Sequence, residues 1–193
     1  LEVVMNQHPT SPARPVAILE RANVIVAQGD VQSAINELAN FVNDPLKASP
    51  VAPMALLRQA TLYRVQNKPI DAEKVLVTAR QHFEPALVAD PKRAVWAAVL
   101  QYHLGLVQLE QNKLVEAKAT FDATAKQFAD KLEGAEAAWR AGQCRRLEAL
   151  AKLTEAKKKL ATPGLNPGDL AAANAAVQDA IKGLTETSTY FDA

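Results

Sequence analysis

The chain is poor in most of the residues that commit a fold to a particular chemistry. It holds one cysteine, Cys144, among 193 residues. No intrachain disulfide framework can exist, and cysteine usage says nothing about compartment. The three histidines, His8, His82 and His103, lie far apart, and none has metal-ligand spacing to a Cys, an Asp or another His. Glycines number seven, and the one run that holds two close together, "PGLNPG" at 163–168, lacks the strand and the Lys-Ser/Thr pair of a phosphate-binding loop. Aromatic residues make up 5% and alternating Val/Ile/Thr runs are few, which argues against a sheet. No 18-residue apolar run occurs, so nothing reads as a membrane-spanning helix. The net charge is +1, which leaves no global field to recruit nucleic acid or an anionic membrane surface.

What is present favours helix. Alanine is abundant, hydrophobic residues are 49% and charged ones 22%, an ordinary soluble composition. A chain of this length buries roughly 70% of its unfolded surface, enough for a core without disulfides or metal. Charge is uneven: Arg140 to Lys159 holds seven Lys/Arg against Glu148 and Glu155, while 161–193 holds Lys182 against four acids. A solvated basic helix face is the plain reading of the first stretch and an anionic partner site the sharper one. The chain begins at Leu1 with no signal-peptide pattern, and reads as a piece of a longer, bacterial-type protein. Periplasmic, cell-envelope and cytoplasmic settings stay open.

Regular breakers divide the chain. "NQHPTSPARP" carries three prolines and predicts an extended linker over 1–14. Gly29 in "AQGD" suits the left-handed position that closes a helix, and Asp30 can cap the next one. "NDPLKASPVAP" breaks again, and Pro69 after "QNK" sits well at a first helical position. "FEPALVADPKR" at 83–93 reads as a longer loop, which places His82 at a helix C-terminus, and Asp90-Pro91 as a cap with a first-turn proline. "QNK" at 111–113 and "DKLEG" at 130–134 are further connections, and "ATPGLNPGD" is the strongest break. Between them run segments with apolar spacing of three and four, nine helices in all.

The turns hide a period. "GDVQSAINELANF", "NKPIDAEKVLVTA" and "NKLVEAKATFDAT" align Gly29/Ala34/Leu38, Asn67/Ala72/Leu76 and Asn112/Ala117/Phe121. "AKLTEAKKKL" offers a fourth copy with Ala151, Ala156 and Leu160. Such self-similarity implies stacked helical hairpins. Antiparallel helices approach closely where small residues face each other, here Ala60 or Gly105 against Ala72 or Ala117, and a bulky residue one turn on fills the widening gap.

These residues resemble the tetratricopeptide repeat (TPR) family. Ala60, Tyr63, Ala72, Leu76 and Ala79 carry the resemblance in the second unit. Leu104-Gly105, Gln108, Ala117, Phe121 and Thr124 carry it in the third, and Ala22, Ile25, Ala34, Leu38 and Phe41 in the first. In a fourth unit, "WRAGQCRRLEALAKLTEA", Gly142 lies two residues further from Ala156 than the pattern asks. The resemblance spans about 15–161, with hairpins over about 15–43, 52–84, 91–129 and 134–161, and a capping helix over 168–186. It implies an all-α, right-handed superhelical array (a TPR-like α-solenoid) and a non-catalytic protein-interaction or scaffold module. An irregular bundle of hairpins is the competing architecture.

The family's inward-facing positions fall on Leu19 and Asn23, then Leu57, Thr61 and Arg64, then Tyr102, Leu106 and Leu109, and finally Trp139, Gln143 and Arg146. The resemblance thus implies a partner groove of Asn23, Leu57, Thr61, Arg64, Tyr102, Leu106, Trp139, Gln143 and Arg146. The Lys/Asn set with which some members hold a peptide carboxylate is not there. A hydrophobic or amphipathic helical ligand with an acidic group suits the groove better. Trp96 and Trp139 each read as core residues opening long helices, with an exposed contact as the alternative. Cys144 reads as a buried small hydrophobe. No cofactor, metal or nucleic acid is implied. A structural spacer, a self-associating domain of an envelope assembly and a regulatory arm of an enzyme, with a site around His103 and Cys144, remain as alternatives.

Overall fold

The computed structural model describes residues 10–191 together with Val4 and His8, with side chains described as far as residue 188. Most of the expected extended segment over 1–14 therefore lies outside the described residues. The described part holds eight α-helices and no strand: α1 Arg14–Ala27, α2 Val31–Leu38, α3 Ala52–Val65, α4 Pro69–Ala89, α5 Ala94–Glu110, α6 Leu114–Gln127, α7 Leu132–Leu160 and α8 Pro167–Phe191. Two 3-10 turns, Ala39–Val42 and Leu46–Ala48, join α2 to α3. The chain forms two compact units, Leu1–Gln111 and Asn112–Ala193.

In the first unit each helix packs on the next, and α3 also meets α5. The aligned turn residues Gly29 and Asn67 have φ of 91° and 56°, and Asn112, which opens the second unit, has 58°. A left-handed residue reverses the chain after the first helix of a pair, and only Gly or Asn takes that conformation readily. The repeat is therefore a repeat of backbone geometry. Asn67→Ala is expected to cost about 1 kcal/mol in equilibrium unfolding, whereas Asn67→Gly should be near neutral.

Beyond the turn, Asp30 caps α2 by accepting from the Ser33 N–H at 3.0 Å, and Pro69 opens α4. Ala34, Leu38, Ala72 and Leu76 are wholly buried, as are Ala117 and Phe121 in the second unit. Ala60 on α3 is buried like Ala72 on α4, and these two helices pack together. Gln59, also buried, donates to the Ile35 carbonyl at 3.3 Å and ties α3 to α2.

Two boundaries differ from those expected. The loop predicted from residue 83 begins later, because α4 runs through Pro85 to Ala89. Proline there removes one ladder hydrogen bond and crowds the carbonyl four residues back, at about 3 kcal/mol in an isolated helix. Contacts on both sides hold the helix across it. Leu87 behind Pro85 is buried, and Glu84 ahead of it pairs with Arg80 and accepts from Gln101 at 2.7 Å. His82 thus lies inside a helix, against Phe83, and not at a C-terminus.

The second difference is larger. The segment 134–161, expected as a fourth hairpin, is instead part of one 29-residue helix, α7, as far as Leu160. In that segment Ala151 stands where Gly29, Asn67 and Asn112 stand in the others, and alanine does not supply a left-handed turn. Gly142 is not followed by a breaker, so helix continues. Among the described residues eight helices form where nine are expected, and α7 packs on both α6 and α8 in a three-helix unit. At the 161–169 break, Gly164 has φ 77°. Asn166 then caps α8, accepting from the Asp169 N–H at 2.8 Å.

Candidate functional site

The groove residues of the first unit come from α1, α3 and α5, and polar contacts join these helices in a row. Asn23 on α1 accepts from Arg58 Nε on α3 at 3.0 Å. Arg64, the last residue but one of α3, reaches α5. Its Nε donates to Glu110 Oε1 at 3.0 Å and Oε2 at 3.1 Å, and its terminal nitrogens meet Glu110 and His103. Tyr102 stands edge-on to His103, with ring centroids 5.8 Å apart. Asn23, Leu57, Thr61, Arg64, Tyr102 and Leu106 are all half-buried, a surface that touches both protein and solvent. Leu19 is buried and offers no such surface. The Thr61 hydroxyl donates to the Leu57 carbonyl at 2.9 Å within its own helix.

These partners change the electrostatics. Arg64, expected as a groove residue, does not offer its charge to a partner alone, because Glu110 meets it. The signal was not visible in the sequence, because the two residues are 46 positions apart. Burial pushes His103 below the ordinary histidine value of 6.5, and the Arg64 guanidinium adds to this, against a smaller opposite pull from Glu110. An arginine N–H faces His103 Nδ1 at 3.4 Å, an arrangement that suits the neutral ring with its proton on Nε2.

A histidine with a lowered folded pKa favours the native state most above pH 6.5 and loses that contribution as pH falls toward the folded value, since the unfolded chain binds the proton first. Unfolding free energy is therefore expected to fall on acidification from pH 7 to 5, and His103→Gln should flatten that slope in parallel urea titrations. An equally steep slope in the variant would show that His103 is not the group responsible.

In the second unit the groove residues lie on α7. Trp139 is 46% exposed, so the core reading of this residue does not hold. Trp96, by contrast, is half-buried. Arg140 places its guanidinium 4.9 Å from the Trp139 ring centroid, a cation–π contact. It also donates to Gln143 Oε1 at 3.0 Å. Arg146 is exposed. On the opposite side of α7, Arg145 meets both Asp122 oxygens at 2.8 Å, and Glu148 accepts from Lys118 at 2.7 Å. These pairs fasten α7 to α6 and consume the charge of that side. On the face of Trp139, Glu133 and Glu136 balance Arg140 and Arg146, so the basic excess of α7 is left to Lys152 and the exposed lysines of its last turn.

Cys144 is fully buried. Burial and the Glu148 carboxylate raise its thiol pKa, the opposite of what a nucleophile needs. Among the described residues no group of three or more His, Cys, Asp or Glu converges, and no helix is long and apolar enough to cross a membrane. Sequence reasoning missed Glu110 and Arg140, and with them the exposed Leu132 and Leu147 that flank Trp139 on α7.

No family model matches the chain, and no curated protein matches it. Among solved structures it is similar to a Podospora anserina protein described as a kinesin light chain with nearly identical TPR-like repeats. The TM-score is 0.55 at 15% identity, over 94% of this chain and 96% of that one. Identity this low speaks for the fold alone. The chain has a TPR-like helical-repeat fold.

Proposed function

We propose that this chain is a non-catalytic interaction module that holds a protein or peptide partner on the exposed faces of its helices. The observation that carries this reading is Trp139, a large aromatic 46% exposed on a 29-residue helix and backed by the Arg140 guanidinium. Aromatic and arginine side chains dominate the binding energy of protein interfaces. Gln143 and Arg146 continue the same face, and Asn23, Leu57, Thr61, Arg64, Tyr102 and Leu106 supply the face of the first unit. With Arg64 paired to Glu110, an acidic group on the partner is better matched to Arg140 and Arg146. An amphipathic helical segment suits both faces.

Cross-linking the chain in an extract of its source and identifying what it captures supplies a partner. Affinity for that partner should then fall at least tenfold in Trp139→Ala or in Tyr102→Ala/Leu106→Ala. A partner bound equally well by both variants would sink the reading.

A further inference from the structure

The face of α7 around Trp139 has an internal order. Between Leu132 and Leu147, eight exposed or half-buried residues share one face and read Leu-Glu, Glu, Trp, then Arg, Gln, Arg-Leu, mirrored about the midpoint between Trp139 and Arg140, while exposed Ala135 and half-buried Ala138 and Arg145 fall outside the pattern. Leu132 mirrors Leu147, Glu133 mirrors Arg146, Glu136 mirrors Gln143 and Trp139 mirrors Arg140. At 3.6 residues per turn all eight lie within about 140° of the helix circumference. The buried residues Ala137, Ala141 and Cys144 lie on the other side, toward the rest of the unit. Leu132, Trp139 and Leu147 are 74%, 46% and 43% exposed, so among the described residues the two ends and the centre of the stripe stay open, with Glu133, Arg140 and Gln143 half-buried between them.

A mirrored stripe with acids in one half and bases in the other is complementary to itself when turned end for end, the requirement of a two-fold interface. We propose that the occupant of this face is a second copy of the chain, its α7 laid antiparallel on the first. This rests on the reading of the α7 face as a partner surface. The pairing sets Leu132 on the partner's Leu147, Glu133 on the partner's Arg146 and Trp139 against the partner's Arg140. Like charges meet if the helices run parallel, which fixes the direction. Sixteen residues give an overlap of about 24 Å. Such a contact lies at the low end of interface size, where weak and transient associations fall.

Sedimentation velocity of the full chain from about 1 to 500 µM tests this. A concentration-dependent dimer is expected, weakened at least tenfold by Trp139→Ala. Two charge variants make the test specific. One carries Glu133→Lys and Glu136→Lys, the other Arg140→Glu and Arg146→Glu, with circular dichroism confirming that both remain helical. Each should be monomeric alone, and an equimolar mixture should dimerise, because opposite charges then face each other again. A wild-type chain that stays monomeric throughout overturns the proposal. So does a dimer that neither variant disturbs, or a mixture that fails to associate. If the chain is monomeric while Trp139→Ala still abolishes capture of another protein, the interaction module stands and its partner on α7 is not a second copy.

Discussion

Gly134→Ala is expected to destabilise the second unit by about 3 kcal/mol or more, an overpacking effect at the upper end of its usual range. A Cβ at Gly134 would lie 1.9 Å from the Phe128 carbonyl oxygen and 2.6 Å from its carbon. Both are backbone atoms of the turn that joins α6 to α7. That carbonyl also accepts from the Lys131 N–H at 2.9 Å, so moving it away breaks the turn. Equilibrium urea unfolding should show a midpoint lowered by roughly 1 M or more. Gly183→Ala on α8 is the control. Its Cβ would meet the Ala149 Cβ at an ordinary 3.5 Å, and alanine is favoured over glycine within a helix by about 1 kcal/mol. Gly183→Ala should therefore raise stability. Equal effects of the two substitutions would refute the steric account of Gly134.

Phe121→Ala should cost about 3–5 kcal/mol, the range for removing a fully buried aromatic side chain and leaving its cavity. Phe121 on α6 is 0% exposed, whereas Val115 on the same helix is 65% exposed. Val115→Ala should therefore change stability by no more than about 0.5 kcal/mol. Phe121→Leu, which restores most of the volume, should recover over half of the loss. If Phe121→Ala and Val115→Ala proved alike in urea unfolding, Phe121 would not be the residue that fills the core beside Ala117.

The two large effects differ in how far the sequence foretells them. Phe121 is legible because it follows Ala117 by one helical turn, as Leu38 follows Ala34 and Leu76 follows Ala72, and all six are wholly buried. Gly134 lies in a stretch that reads only as a connection. Its need for glycine comes from the path of the preceding helix end, which no local pattern reveals.

By itself the sequence determined the helical class, the close-packed alanines, the chain reversals at Gly29 and Asn67 and the left-handed residue at Asn112. Each depends on backbone sterics or on spacing within a few residues. It also held the order of residues along α7, but not that they lie on one unbroken helix or which of them stay exposed. Only the tertiary structure decided that α4 continues past Pro85, that Arg64 is claimed by Glu110 and that Trp139 faces outward. Those outcomes depend on which side chains arrive from distant parts of the chain. Arg58 meets Asn23 across 35 positions and Arg64 meets Glu110 across 46. The charge left exposed for a partner is what such pairings do not consume.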